Sequence, residues 1–228
     1  MEQLLKRLST DEIDKELRKA EREQRPADFS YKLIPEFSFS NKEISTNLNF
    51  KGSTVQGAAY FDNCKINGDL ILEDALIYAT LYIANSTIKG NFLASNIRAR
   101  EVINLVATNF EKNVIFDNAY IKGFLGLNKV KLEENLSAKN VSIINISTKT
   151  GIIRGDIFLK QAHIKGSVIL EGMAVGGLVN LENSFIGEDL NLQNSRVKEN
   201  VLLTGTIIEG DVLSTGLECK NLIAHMEE

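Results

Sequence analysis

The chain has 228 residues, 43% of them hydrophobic, and a formal net charge of -4 that divides as -1 over residues 1–44 (9 basic, 10 acidic) and -3 over residues 45–228 (17 basic, 20 acidic). This is enough apolar material for a sizeable core, and neither part is polarised enough to attract nucleic acid or an anionic membrane. No run approaches the ~18 apolar residues of a membrane span, the first residues lack the apolar core of a secretory signal, and two cysteines are too few for a disulfide framework. The expectation is a cytoplasmic protein.

Residues 1–25 read as an amphipathic helix, because Leu4, Leu5 and Leu8 and then Ile13, Leu17 and Ala20 recur at three- and four-residue spacing among charged neighbours. Ser9 with Glu12 three places on forms a capping box, which lets the helix restart near residue 10, and Pro26 ends it. Residues 27–44 hold Pro35 and the aromatics Phe29, Tyr31, Phe37 and Phe39. That composition suits a connector packed over the open end of whatever follows, where an unpaired strand edge would invite aggregation. Residues 1–44 therefore form a cap and residues 45–228 a second, repetitive region.

From Ser45 the chain repeats every eleven residues. The pattern is clearest in 176-GGLVNLENSFI-186, 187-GEDLNLQNSRV-197 and 198-KENVLLTGTII-208. The fourth and sixth places are bulky and share one face of a strand, since side chains alternate with period two. The eighth place is Asn, Gly or Asp in twelve of fifteen full units, residues that tolerate left-handed backbone at a tight corner. Small groups at the ninth place and Ile, Val or Leu at the eleventh define a second inward-facing strand. Gly at the second place, as in Gly68, Gly90 and Gly177, is expected to supply the next corner. An eleven-residue coiled coil is excluded, because Gly or Asn every few residues would cost each helical turn about 1 kcal/mol or more.

Eleven residues cannot enclose several Leu and Ile side chains, so two units form one coil of 22 residues with four short faces. The prediction is an all-β, right-handed parallel β-helix of about eight coils and roughly 40 Å, with an α-helical cap at its N-terminal end. Cys64 and Cys219 both fall on inward places as small buried groups. The one break in register is the ten-residue unit 144–153. Aligned from its end, it points Ile146, Thr148, Gly151 and Ile153 inward, puts the deletion at the corner after Ile143, and makes the core there thinner and more polar.

Units such as 67-NGDLILEDALI-77 and 154-RGDIFLKQAHI-164 resemble the pentapeptide-repeat superfamily, in particular the subset built on an eleven-residue unit. The resemblance covers residues 45–219, about three quarters of the chain. It implies a quadrilateral β-helix and, for most members, no established activity. Some members imitate duplex DNA to inhibit gyrase, which requires an acidic band. Here one outward column mixes signs, with Lys51, Glu73, Asp117, Lys139, Lys160 and Glu182. Bactofilins, also β-helices, imply a second possibility, a self-assembling filament that would need exposed solenoid ends.

No motif for chemistry stands out. His163 lies on an outward place and His225 near the C-terminus, neither with metal-ligand partners, and the Gly-Asp pairs at 68–69, 155–156 and 210–211 are explained by corners rather than calcium. No phosphate-binding glycine loop is present, so no catalytic, cofactor or metal residue is assigned. What remains is a surface pattern. If alternate units stack, the outward fifth places of one stack read Asn49, Ile71, Leu93, Ile115, Ser137, Phe158, Asn180 and Leu202. The adjacent stack reads Tyr60, Tyr82, Asn104, Gly126, Ser147, Ile169, Asn191 and Leu213. Ile71, Leu93, Ile115, Phe158 and Leu202 form the candidate interaction surface, covered either by the N-terminal helix or connector, or by a protein partner or a second copy. The expected function is a non-enzymatic interaction or structural scaffold.

Overall fold

The computed structural model describes residues 5–224. It is a parallel β-solenoid with one short helix. Strands two to eight residues long stack in register, and the offset between partners is 22 residues along most of the rod: Leu48 pairs with Leu70, Leu70 with Phe92 and Phe92 with Val114. Four strand positions recur in each coil. Among the described residues they assemble into sheets of ten, eight and seventeen strands, the largest carrying two adjacent faces. Ten strands in one sheet mark ten coils rather than eight, a rod about 48 Å long at about 4.8 Å per coil.

The extra length comes partly from residues 27–44, which are not a connector. Ala27 pairs with Leu48, Phe37 with Ala59 and Ile44 with Ile66, so this segment is the first coil and the solenoid begins at Ala27 instead of Ser45. Its offset to the second coil is 21 residues up to Ile34 and 22 from Phe37 on. One residue is thus missing at the Pro35 corner, which hides the repeat. Aromatics fill the first two coils: Phe29, Phe39, Phe50 and Phe61 are fully buried, and Phe37 stacks on Phe50 with centroids 5.2 Å apart. Each such ring contributes roughly 2–3 kcal/mol of burial.

The cap is helix α1 (Thr10–Glu23) alone. The expected capping box is formed, with the Ser9 N–H donating to Glu12 at 2.8 Å and the Glu12 N–H to Ser9 Oγ at 3.2 Å. Upstream of it the chain is not helical: Lys6–Arg7 is a strand paired with Lys32 and Leu33. Leu4 lies outside the described residues. Ile13, Leu17 and Ala20 bury one face of α1 on the first coil, and Arg25 clamps the far end by binding Glu16 at 2.5 and 3.1 Å.

The corners follow the repeat. Eighth-place residues from Tyr31 to Gly216 take left-handed angles, including Asn63 (φ 52°), Asn118 (φ 58°) and Gly205 (φ 68°). Second-place glycines such as Gly68, Gly90 and Gly177 sit at bends, as expected, but without positive φ, and they meet a further need. A Cβ on Gly68 would lie 2.1 Å from Asn47 Oδ1, and one on Gly177 would lie 1.9 Å from Asp156 Oδ1. These glycines permit close approach of successive coils. Several ninth-place hydroxyls are buried and bond across coils: Ser86 donates to the Phe61 carbonyl (2.7 Å), Thr108 to that of Ile83 (3.0 Å) and Ser184 to that of Leu159 (2.6 Å).

The short unit behaves as its alignment predicts. Ile121 pairs with Ile143 at an offset of 22, but Phe124 pairs with Asn145 at 21, so the deletion falls just after Ile143. The corner straightens, and Ser142–Lys149 runs through it as a single strand. Thr148 is fully buried, donating to the Leu127 carbonyl at 3.0 Å, beside a void of about 10 Å³ lined by Leu127, Val130, Ile153 and Met173.

Candidate interaction surface

Each fifth-place residue sits between two inward neighbours on a strand, so its side chain points out. The 22-residue register then fixes which residues share a ladder: Asn49, Ile71, Leu93, Ile115, Ser137, Phe158, Asn180 and Leu202 are successive partners in the ten-stranded sheet. The ladder extends further than the repeat suggests, to Asp28 at one end and Ile223 at the other. All five candidate residues are half-buried, shielded by their neighbours in the sheet.

The ladder is not one continuous stripe. Ile71, Leu93 and Ile115 are consecutive rungs spanning about 10 Å. Ser137 then interrupts it, buried and donating to Asp117 at 2.6 Å. Asn180, bonded to Glu182 through both its amide nitrogen (3.0 Å) and oxygen (2.9 Å), separates Phe158 from Leu202. Phe158 packs instead under Lys139, whose ammonium is 4.9 Å from the ring centroid. The structure thus brings three of the five residues together and isolates two.

Neither expected intramolecular cover lies on the ladder. Helix α1 packs its buried face on the end of the first coil, and the former connector supplies a rung of its own, Asp28. The column beside the ladder carries ion pairs between coils, Lys51 with Glu73 at 3.0 Å and Lys160 with Glu182 at 3.3 Å. Asn180 first, and then Lys160, hold the Glu182 carboxyl below the usual carboxylate range.

A second exposed group joins the first two residues of the adjacent stack to three aromatics that the outward fifth places do not include. Tyr60 and Tyr82 are adjacent rungs of the neighbouring face, with centroids 6.3 Å apart. At the corner beside them Tyr78 (39% exposed) carries the Arg100 guanidinium 4.1 Å above its ring, and Tyr120 (49%) and Phe124 (41%) follow on later coils. The signal was present as aromatics on outward first, third and tenth places.

Asp69 and Asp156, from two of the Gly-Asp pairs, accept backbone N–H groups of the next coil at 2.7 and 2.8 Å. His163 points outward and stacks on Phe185 with centroids 4.9 Å apart, while His225 lies outside the described residues. Among the described residues no group of three His, Cys, Asp or Glu side chains could hold a metal ion. Cys64 is buried with Sγ 2.7 Å from the Phe39 carbonyl, and burial pushes its thiol pKa up. Cys219, on an inward place of the last coil, is only half-buried, because no further coil covers it among the described residues. No helix among these residues is long and apolar enough to cross a membrane. The chain matches no family model and no curated protein significantly.

Proposed function

We propose that the protein is a non-catalytic interaction scaffold of the pentapeptide-repeat type, acting in the cytoplasm and binding a protein partner on the face that carries Ile71, Leu93 and Ile115. The observation that carries this reading is the uncovered three-rung apolar patch on a flat, fully hydrogen-bonded sheet. Successive coils fix the spacing of such side chains at about 4.8 Å, so recognition rests on shape with little ordering cost. The four-sided coil of two eleven-residue units supports the pentapeptide-repeat resemblance. DNA mimicry is disfavoured by the Lys51–Glu73 and Lys160–Glu182 pairs, which neutralise the column where an acidic band would be needed. A head-to-tail filament is disfavoured by helix α1 over the first coil.

Affinity capture from native lysate tests the reading, with the wild-type chain beside a variant carrying Ile71→Lys, Leu93→Lys and Ile115→Lys. The expected result is a reproducible partner that the variant loses while its thermal midpoint stays within a few degrees of wild type. A wild-type chain that captures no reproducible partner would sink the proposal.

A further inference from the structure

One long edge of the rod gathers side chains of a particular kind. It is the outside corner where the ladder Leu76, Arg98, Tyr120, Ser142 and His163 turns into the first places of the following units, Tyr78, Arg100, Lys122, Ile144 and Lys165. Among the described residues, five of the ten exposed large apolar or aromatic side chains stand along this edge: Tyr60, Tyr78, Tyr120, Phe124 and Ile144. Arg98, Arg100, Lys122 and Lys165 lie between them, all exposed, and none joins an ion pair among the described residues. The column of Lys51 and Lys160 differs, because each cation there has a carboxylate partner. From Thr54 to Ile169 the edge and its two flanking ladders hold one carboxylate, Glu101, which accepts from the Thr80 hydroxyl at 3.3 Å. The chain's total of -4 therefore conceals a local positive excess. The missing residue of the short unit shapes the same edge. Tyr120–Gly126 and Ser142–Lys149 run through the corner as continuous strands, so Phe124 and Ile144 stand on a flattened stretch of the ridge.

We propose that this edge docks the protein on an anionic lipid surface, with the aromatic and aliphatic tips at headgroup depth and the four cations on lipid phosphates and carboxylates. Shape selects the occupant. A convex ridge encloses a peptide or small molecule on no side, whereas a bilayer surface yields around it and meets its whole length. The side chains agree with the shape. Tyr places an apolar ring toward the acyl boundary with its hydroxyl in water, and Arg and Lys lay their stems on apolar surface while the charge reaches the headgroups. Anionic headgroups have no fixed spacing, so cations at intervals of about 4.8 Å or its multiples along the ridge each find one. The Arg100 guanidinium, held 4.1 Å above the Tyr78 ring, is already ordered for a phosphate. Single-stranded nucleic acid fits less well. Arg100 covers Tyr78, and Tyr60 is tilted 59° against Tyr82, so these rings offer successive bases no common stacking direction. The ladder of Ile71, Leu93 and Ile115 belongs to a different sheet, so this inference does not rest on the partner proposed above and leaves that face available.

Flotation of the full chain with liposomes tests it. Vesicles of phosphatidylcholine with about 30% phosphatidylserine should carry the protein at about 50 mM salt, pure phosphatidylcholine about tenfold less, and about 500 mM salt should release most of it. Arg98→Glu with Arg100→Glu and Lys122→Glu should lower partition onto the anionic vesicles at least about tenfold while the circular dichroism spectrum is kept, since all three side chains are exposed. The variant with Ile71→Lys, Leu93→Lys and Ile115→Lys should float as the wild type does. Should the glutamate variant misfold, a reporter decides: the chain has no tryptophan, so Phe124→Trp supplies a single fluorophore whose emission should shift to the blue on anionic vesicles. Failure to float at low salt, equal partition onto neutral vesicles, undiminished flotation of a folded glutamate variant, or an unshifted Trp emission would overturn the proposal. So would a labelled thymidine oligonucleotide of about 20 nucleotides that binds through Arg98, Arg100 and Lys122 where vesicles do not.

Discussion

The Asp69 carboxylate accepts a 2.7 Å hydrogen bond from the backbone N–H of Asn91, its counterpart one coil further on, and a second at 3.2 Å from the Asn91 amide. The same third-place link recurs from Asn47 to Asp69, from Asn135 to Asp156 and from Asp156 to Leu178. These side chains cap backbone groups at corners where the strand ladders are interrupted. Asp69→Ala should therefore cost about 1–2 kcal/mol in urea unfolding, because a part-buried N–H loses its acceptor. Asp69→Asn, which keeps the acceptor oxygen, should cost much less. Equal losses for the two would mean that charge, not the hydrogen bond, is what matters here.

The residues that announced the fold are those whose physical task repeats at each coil. Leu48, Leu70 and Phe92 are interchangeable as apolar groups of a strand's inward face, and Asn63, Asn96 and Asn118 as left-handed corner residues, so a period of eleven carried both. Residues 27–44 perform the same tasks with different side chains: Phe29 and Phe39 fill the core, while Tyr31 (φ 52°) and Asn41 (φ 58°) turn the corners. Their register was hidden by the residue missing at Pro35 and by aromatics standing where aliphatics are the rule. The ladder was legible because outward fifth places need only the period. Its interruptions were not, since Ser137 and Asn180 become rungs of polar networks only through Asp117 and Glu182 on the adjoining column. Exposure at the last coil was illegible for a related reason: Val212 matches Leu190 in the repeat and differs only in having no following coil among the described residues.

Ala107 occupies an eighth-place corner at φ 52°, where most other corners have Asn, Asp or Gly. A side chain with a Cβ and no compensating hydrogen bond pays a steric penalty there. Ala107→Gly should raise stability by about 0.5–1 kcal/mol despite the greater freedom glycine gives the unfolded chain. A calorimetric midpoint unchanged or lowered by this substitution would show that the corner is relaxed as it stands.

Acid should loosen the cap. The Arg25 guanidinium, helped by the Asp28 N–H, holds the Glu16 carboxyl below its ordinary range. A carboxyl depressed in the folded state contributes stability that is present above its unfolded value of about 4.3 and is lost as pH falls through the lower folded value. The thermal midpoint should therefore drop below about pH 4 as helix α1 loosens. Glu16→Gln should lower the midpoint by about 1–2 °C at neutral pH and make its decline in acid shallower. Some slope should persist, because Glu12, Glu43, Glu182 and Glu218 are depressed as well.

Removing residues 1–25 should change the state of assembly more than it changes the fold. The coils beyond α1 hold one another through strand ladders and the Phe29, Phe37, Phe39, Phe50 and Phe61 cluster, none of which needs the helix to form. The deletion strips the cover from Ala27 and opens the strand edges of the first coil. An uncovered strand edge of this kind invites pairing with other copies. Sedimentation velocity should show the full chain as a species of fixed size and the truncated chain as a broad distribution that grows with concentration, with circular dichroism still dominated by strand. If the truncated chain has native-like dichroism and the same narrow distribution as the full chain, then helix α1 is not what limits assembly.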